Sequence, residues 1–516
     1  MVFSSGEERR LVMSTKMGIW RGALAAAAVL LAVGTASARV IDPTGVTTND
    51  PAGIVLYPKL KVDPNSCQGR GDTAQKFCTL TDTACTTDAD CRPHCVGGTC
   101  NFGGPPASCT TDDDCLGTGF DTVVQLTNTA EFLTKVHCFY TNANGHCSND
   151  FSRICTEADF RDVCGRGGLC IPGWQETDFR LTLTKRQPIS WSVNKGLPFL
   201  PLAGGGGQGN PPQANEGSIP PVLETPFKGE LLCVQVDVTT ELPTDRNDLK
   251  GEASVINTDF ANIDDARYDA IGIKAIEGRR SDDGVLNIGG PDAEYGVFSD
   301  AGEEPRFVGC PNVITLNHFF EGAEVETHAG LVSGPVRSDL TIVPCARDYL
   351  HQTANGSAVT VQFLIYNEFE QRFSTSTSVF CFEHTRLVDI DTRPGPDGDA
   401  FSIFSAGVQG TITGMSRLRS VQGPDVDGYD ANGILALLSE HWAAGECQGT
   451  TAQAGGNKTP YGPLLELCAT DADCSVLDGA GQATVSCINP HVQTTAANVQ
   501  FQGSRRQGDR IIIPLP

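Results

Sequence analysis

Most of this chain is built from short runs in which apolar residues alternate with polar ones or stand together, broken by glycine, proline, asparagine and aspartate. Ile54 to Val62, Thr122 to Leu126, Phe132 to Tyr140, Phe179 to Val193, Leu231 to Val236 and Gly251 to Ile256 have this form in the first half. Val313 to Phe320, Leu340 to Val343, Val359 to Tyr366, Val379 to Glu383, Phe401 to Phe404, Val499 to Phe501 and Arg510 to Ile513 have it in the second. Runs of this length and period predict strands. Pro58 predicts an edge position for the first of them. Asn144-Gly145 predicts a two-residue hairpin turn that would set Cys147 opposite Asn142 and Cys138 opposite Phe151. Ile271 to Ile276 alternates and predicts a strand. A helix is expected at Asn432 to Trp442, where Ile434, Leu437, Leu438 and His441 share one face.

The two halves also resemble each other. Tyr268, Asp269, Ala270, Gly272, Ile273 and Ala275 recur with the same spacing as Tyr429, Asp430, Ala431, Gly433, Ile434 and Ala436. Upstream, Phe179 to Ser192 parallels Val361 to Ser374, and the strand around Cys233 parallels the one around Cys381. The Gly251-led strand then parallels Gly410 to Gly414. The expectation is an all-β protein of two tandem antiparallel β-sandwich domains, broadly immunoglobulin-like, with disulfide-rich insertions. Residues 39–305 form the first domain and 306–516 the second. The glycine and proline run from Gly204 to Pro221 falls between two strands of the first and reads as a loop.

Composition agrees with this reading. With 57 glycines, 30 prolines and only 4 methionines among 516 residues, turns and strands outweigh long helices. Residues 1–38 read as a signal peptide: Lys16 and Arg21 precede the apolar run Gly22 to Val33, and Ala36-Ser37-Ala38 supplies the small-residue cleavage pattern. No apolar run reaches the ~20 residues of a spanning helix, so no membrane span is expected. The formal charge is −25, and the leader holds two acids and four bases, so the remainder stands near −27. A surface of that sign repels phosphate backbones and argues against nucleic acid as a partner.

Twenty-one cysteines in an exported chain predict disulfides, and the odd number leaves at least one over. They concentrate in insertions near 64–118, 147–172 and 447–490, which have too few large aliphatic side chains to bury cores. Within them Cys85-Thr-Thr-Asp88-Ala-Asp90-Cys91, Cys109-Thr-Thr-Asp112-Asp-Asp114-Cys115 and Cys468-Ala-Thr-Asp471-Ala-Asp473-Cys474 are near copies. These resemble the C-x-x-D-x-D-C repeats of secreted bacterial cysteine-rich proteins, over about a fifth of the chain. The resemblance implies export to an extracellular, cell-surface or periplasmic location, and disulfide bonding. It says nothing of activity.

Four clusters carry candidate chemistry. Asp425, Asp427 and Asp430 surround Gly428, and Asp389 with Asp391 form a second carboxylate set. Both could gather oxygens on calcium, and aspartate and glycine are equally the residues of ordinary turns. His137-Cys138 and His146-Cys147 could hold zinc or copper as two imidazoles and two thiolates, while export favours disulfides for the same thiols. Glu368 and Glu370 could serve a glycosidase and equally suit a solvated strand face. No G-x-S-x-G elbow, H-E-x-x-H helix or P-loop occurs. The expected function is a secreted, non-enzymatic structural, adhesive or binding protein whose partner is an extracellular protein or glycan. A metal-dependent enzyme or redox protein using the His/Cys cluster is one alternative. A carbohydrate-binding module, with Trp174, Trp191, Tyr366 and Phe369 as aromatic platform, is another.

Overall fold

The computed structural model describes residues 46–63, 120–155, 160–173, 175–197, 218–257, 265–280, 283–289, 306–323, 336–351, 358–394, 400–421, 433–443 and 509–515, together with short strands between them. The described residues are all-β, 60% of them strand and 4% helix. Residues from Thr44 onward form one unit.

The first half contributes β1 (Ile54–Val62), β2 (Phe120–Asn128), β3 (Thr134–Asn142), β4 (Gln175–Leu183), β5 (Pro188–Ser192), β6 (Phe227–Val236), β7 (Leu249–Asn257), β8 (Asp265–Asp269) and β9 (Ile271–Ile273). They make two antiparallel sheets, β9-β1-β6-β3-β4 and β5-β2-β7-β8. The second half contributes β10 (Val313–Phe319), β11 (Val336–Pro344), β12 (Val359–Asn367), β13 (Arg372–Val379), β14 (Glu383–Arg386), β15 (Thr413–Val421), β16 (Ile434–Ala443), β17 (Val492–Ala496) and β18 (Val499–Gln502). Its sheets run β18-β10-β15-β12-β13 and β14-β11-β16-β17. Adding nine to each strand number converts the first pair of sheets into the second. All seven strand pairings recur, each antiparallel.

This correspondence differs from the one that the sequence matches suggest. The segment Phe179 to Ser192 lies in β4 and β5, whose counterparts are β13 and β14, whereas Val361 to Ser374 lies in β12 and β13. Cys233 is in β6, the counterpart of β15, and Tyr268 is in β8, the counterpart of β17. Ile273 is in β9, the counterpart of β18, but matches Ile434 in β16, and Cys381 falls in the turn between β13 and β14, so the matched segments are displaced by one or two strands. Strands of equal period look alike in sequence, and only hydrogen-bonded neighbours distinguish them.

In each module residues of both sheets share one buried cluster. Tyr57, Val124, Leu126, Tyr140, Leu181 and Trp191 are among the buried residues of the first, and Ile314, Leu340, Phe363, Ile365, Leu418 and Leu438 of the second. A third cluster joins the modules: Ile54, Leu56, Phe139, Leu232 and Val234, on the other face of the first module's larger sheet, meet Val343, Tyr349, Leu435 and Ile511. The Phe139 and Tyr349 rings stack at 4.4 Å. The larger sheet of the first module is thus covered on both faces, which is why β1 and β6 are buried almost throughout instead of on alternate residues. The chain end adds a tie: Asp509–Ile512 pairs antiparallel with Val285–Ile288 and parallel with Arg347–Asp348.

Double coverage also explains the helix expected at Asn432 to Trp442, which is strand β16. Ile434, Ala436 and Leu438 enter the second core, while Leu435 and Leu437 face the other way into the remaining clusters. A strand apolar on both faces reads as a continuous run, and period alone cannot separate it from a buried helix. β1 is an inner strand only over Ile54–Leu56, where β9 pairs with it; at Pro58 its ladder neighbour is β6 alone. The register between β1 and β6 jumps from Leu60 opposite Gly229 to Tyr57 opposite Leu231, so Pro58 and Lys59 bulge where only Glu230 stands. A bulge leaves the ladder locally open and tolerates a residue with no N–H. The Lys59 backbone is satisfied instead by the Tyr268 hydroxyl, which receives the Lys59 N–H and donates to its carbonyl.

Asn144-Gly145 makes no hairpin turn. β3 has β4 and β6 as neighbours, and Gly145–Cys147 belongs to a separate small sheet with Asp150–Cys155 and Cys170–Ile171. Gly145 is required for closeness: a Cβ there would come within 2.7 Å of the Cys170 sulfur and 2.8 Å of the Cys155 carbonyl. Gly251 on β7 has the same role between sheets, where a Cβ would lie 1.9 Å from the Tyr57 hydroxyl that donates to the Gln125 carbonyl at 2.7 Å.

Four disulfides are formed among the described residues: Cys138–Cys233, Cys147–Cys164, Cys155–Cys170 and Cys310–Cys345. The first joins β3 directly to β6, and the next two hold the small sheet together. Cys381 is buried and in no disulfide. Among the described residues no helix is long and apolar enough to cross a membrane. The C-x-x-D-x-D-C copies and residues 1–38 lie outside what the structure describes, except for the backbone of a few short strands.

Candidate functional site

The His/Cys quartet is not brought together as one ligand set. Cys138 is bonded to Cys233 and Cys147 to Cys164, so neither is a thiolate. The buried rings of His137 and His146 each meet a carboxylate instead, Asp178 at 2.8 Å and Glu224 at 2.8 Å. Burial, opposed by Asp178, lowers the His137 pKa below its ordinary value. Among the described residues the groups of three or more metal-ligating side chains that converge are Cys147, Cys155 and Cys164, and Cys310, Cys345 and Asp509. Every cysteine in them is in a disulfide. Asp389 and Asp391 occupy a short 3-10 turn, Leu387–Asp391, with Asp389 exposed and Asp391 buried; the Thr375 hydroxyl donates to Asp391 at 3.3 Å. Asp425, Asp427 and Asp430 lie outside the described residues.

A different site forms where β10, β12 and β15 end together, a cleft of about 350 Å³. Asn317 closes it from β10, Tyr366 and Glu368 from β12 and its turn, Thr413 and Met415 from β15, and Glu440 from β16. The turn between β12 and β13 is fixed by Asn367, whose Oδ1 receives the backbone N–H groups of Phe369 and Gln371, each at 3.0 Å. Glu370 takes the left-handed conformation that this tight turn needs, at φ 59°. Glu368 is thereby held across from β15, where it accepts from the Thr413 N–H at 3.0 Å and its hydroxyl at 2.6 Å. These two hydrogen bonds favour the charged form and lower the Glu368 pKa.

Glu440 has the opposite environment. It reaches from the smaller sheet to the larger, where its Oε1 accepts the Phe319 N–H at 2.9 Å. Burial raises its pKa above the usual carboxylate range, against the pull of that hydrogen bond. Beside it His318 is enclosed, with Nδ1 3.2 Å from the Phe319 carbonyl and Nε2 2.8 Å from the Ser416 hydroxyl. A carbonyl only accepts, so the proton is on Nδ1 and Ser416 donates to Nε2. Burial, opposed by the Phe319 carbonyl, lowers the His318 pKa to about 4.

That value gives a direct prediction. The unfolded chain takes up a proton near pH 6.5 that folded His318 refuses until about pH 4. Stability contributed by this residue is therefore full above pH 6.5 and falls with acidity at about 1.4 kcal/mol per pH unit, roughly 3 kcal/mol in all. Denaturant titrations from pH 7 to pH 4 should show the loss, and His318→Gln should shed that part of the slope. An unchanged slope in the variant would refute the assignment.

The sequence pointed to Tyr366, Phe369, Glu368 and Glu370 separately. The structure brings Tyr366 and Glu368 together in the cleft, with Phe369, 66% exposed, in the adjoining turn. Trp191 is in the first core, donating to the Tyr140 hydroxyl at 2.6 Å, and Trp174 is outside the described residues. Asn317, Thr413 and Glu440 were not legible as site residues. Only Glu440 left a trace, as part of the polar triplet Ser439-Glu440-His441 inside an apolar run. No family model, no curated protein and no solved structure matches this chain.

Proposed function

We propose that the protein is an exported, disulfide-stapled binding protein without enzymatic activity, and that its ligand is a glycan taken in the cleft at the end of β10, β12 and β15. The observation that carries this reading is the half-buried Tyr366 ring set among Asn317, Glu368 and Thr413. Sugar rings present an apolar face and a polar rim, and a site for them needs an aromatic surface bordered by fixed hydrogen-bonding groups. Export rests on the leader-like start, the disulfides and the cysteine-repeat resemblance. Calcium, at Asp425, Asp427 and Asp430 or at Asp389 and Asp391, is the cofactor compatible with such a protein.

The test is retention of the mature protein on neutral polysaccharide columns and titration with the oligosaccharides that retain it. Tyr366→Ala is expected to weaken binding about tenfold or more, the range for loss of one aromatic anchor. If no glycan retains the protein, or Tyr366→Ala binds like the parent, the cleft is not a glycan site. One observation favours a second reading, glycoside hydrolysis: the cleft holds a carboxyl kept protonated to higher pH by burial, Glu440, and one kept ionised by hydrogen bonds, Glu368. Release of reducing ends by the parent and its absence in Glu440→Gln would replace the first reading with this one.

A further inference from the structure

Against the −25 charge of the chain, one cavity is lined by bases. It lies between the bulged end of β1 and β6 in the first module and the start of β14 in the second, with a volume of about 300 Å³. Lys59, Lys61, Lys228 and His384 line it, with Asn144 and Phe382. The fold forces this grouping. Lys61 and Lys228 stand directly opposite each other in the β1–β6 register, and the Pro58 bulge brings in Lys59, which is 6% exposed.

Like charges facing each other across a ladder are destabilising, and here a third is packed beside them. Each base has some local support. The Lys59 ammonium donates to the Ser439 hydroxyl at 3.2 Å, the Lys61 ammonium lies over the Phe120 ring, and His384 shares a hydrogen bond with the Thr341 hydroxyl at 2.9 Å. Asp63 borders the cavity, and Glu383 favours the charge on Lys228. Asp339, near His384, is engaged by Arg337 and His441. Burial nonetheless lowers the Lys228 pKa, and burial together with Lys59, Lys228 and Lys61 lowers that of His384, against the pull of Asp339. These partners hold each base in place, and the three lysines line one cavity.

We propose that this cavity binds a small organic anion, with its oxyanion group between Lys59, Lys61 and Lys228. Its volume is at the lower end of ligand pockets, about 300–1,000 Å³, and so suits an anion with an organic body. The site is separate from the glycan cleft and does not depend on that reading.

The test uses the full mature chain, with galacturonate, glucose 6-phosphate, inorganic phosphate and neutral glucose as calorimetric probes. Galacturonate or glucose 6-phosphate is expected to bind and glucose not to bind, with affinity falling as salt rises. Comparison of the two sugar anions distinguishes a carboxylate from a phosphate ester, and inorganic phosphate shows how much the oxyanion contributes alone. Lys228→Gln should weaken anion binding about tenfold or more, and Lys228→Arg should stay within a few-fold of the parent. Without ligand, Lys228→Gln should melt at or above the parent temperature, because a like-charge contact is relieved. Tyr366→Ala should leave anion binding unchanged, which separates the two sites. The proposal is overturned if no anion binds, if glucose binds as tightly as the anions, or if Lys228→Gln binds like the parent.

Discussion

Replacing Glu230 with alanine is expected to lower stability by about 3–5 kcal/mol, the cost of leaving a buried charge without its partner. Glu230 is the single residue opposite the Pro58 bulge, and from that position it meets Arg347 of the second module. The guanidinium and carboxylate pair bidentately at 2.8 and 3.1 Å, and a further guanidinium N–H donates to the Ala346 carbonyl at 2.9 Å. Their side chains are 1% and 0% exposed, so water cannot replace either partner. Burial disfavours the Arg347 charge, but Glu230 outweighs it and holds the arginine pKa above its ordinary value. The alanine variant would keep that charge in the joint between modules, next to Tyr349 and Cys381. Denaturant unfolding measures the loss, and Glu230→Leu with Arg347→Met should recover most of it, since a buried ion pair contributes little over apolar residues of like volume. A loss below 1 kcal/mol in the single variant would show that water reaches the pair.

The second large effect belongs to the Cys138–Cys233 bridge, whose ends are 95 residues apart. In the chain-entropy description a bridge closing about 100 residues contributes roughly 4.7 kcal/mol, and native bridges in small domains typically 2–5 kcal/mol. The Cys147–Cys164 and Cys155–Cys170 bridges lie inside that loop and already shorten it. The double variant Cys138→Ala, Cys233→Ala is therefore expected to lose about 4 kcal/mol, measured by urea unfolding under oxidising conditions. Removing Cys155–Cys170, which closes only 15 residues, should cost less, about 3 kcal/mol. If the order were reversed, strain or packing and not chain entropy would govern these bridges.

Local pattern was enough for most of the strands, because the alternation from Phe179 to Val193 or Val359 to Tyr366 is a property of neighbouring residues; Val379 to Glu383, expected as a strand, instead runs through the turn between β13 and β14, with Cys381 at φ 62°. It was also enough to favour disulfides over metal at Cys138 and Cys147. It failed wherever a strand has neighbours on both faces. Ile434 to Leu438 looked helical because no position in it is left to solvent, and the bulge at Pro58 cannot be seen in one strand. Glu440 was invisible as a site residue because its role comes from a backbone N–H on β10, far away along the chain.

What the amino-acid order by itself determined about this protein is therefore its class: short strands, turns where glycine and proline stand, and cysteines set to pair. Only the tertiary structure decided which strand lies beside which, and with that the true correspondence between the modules, the Glu230–Arg347 contact, the cleft around Tyr366 and the basic cavity at Lys228. The physical reason is that alternation specifies the faces of a strand, while its neighbours are chosen by cross-strand packing among residues far apart in sequence.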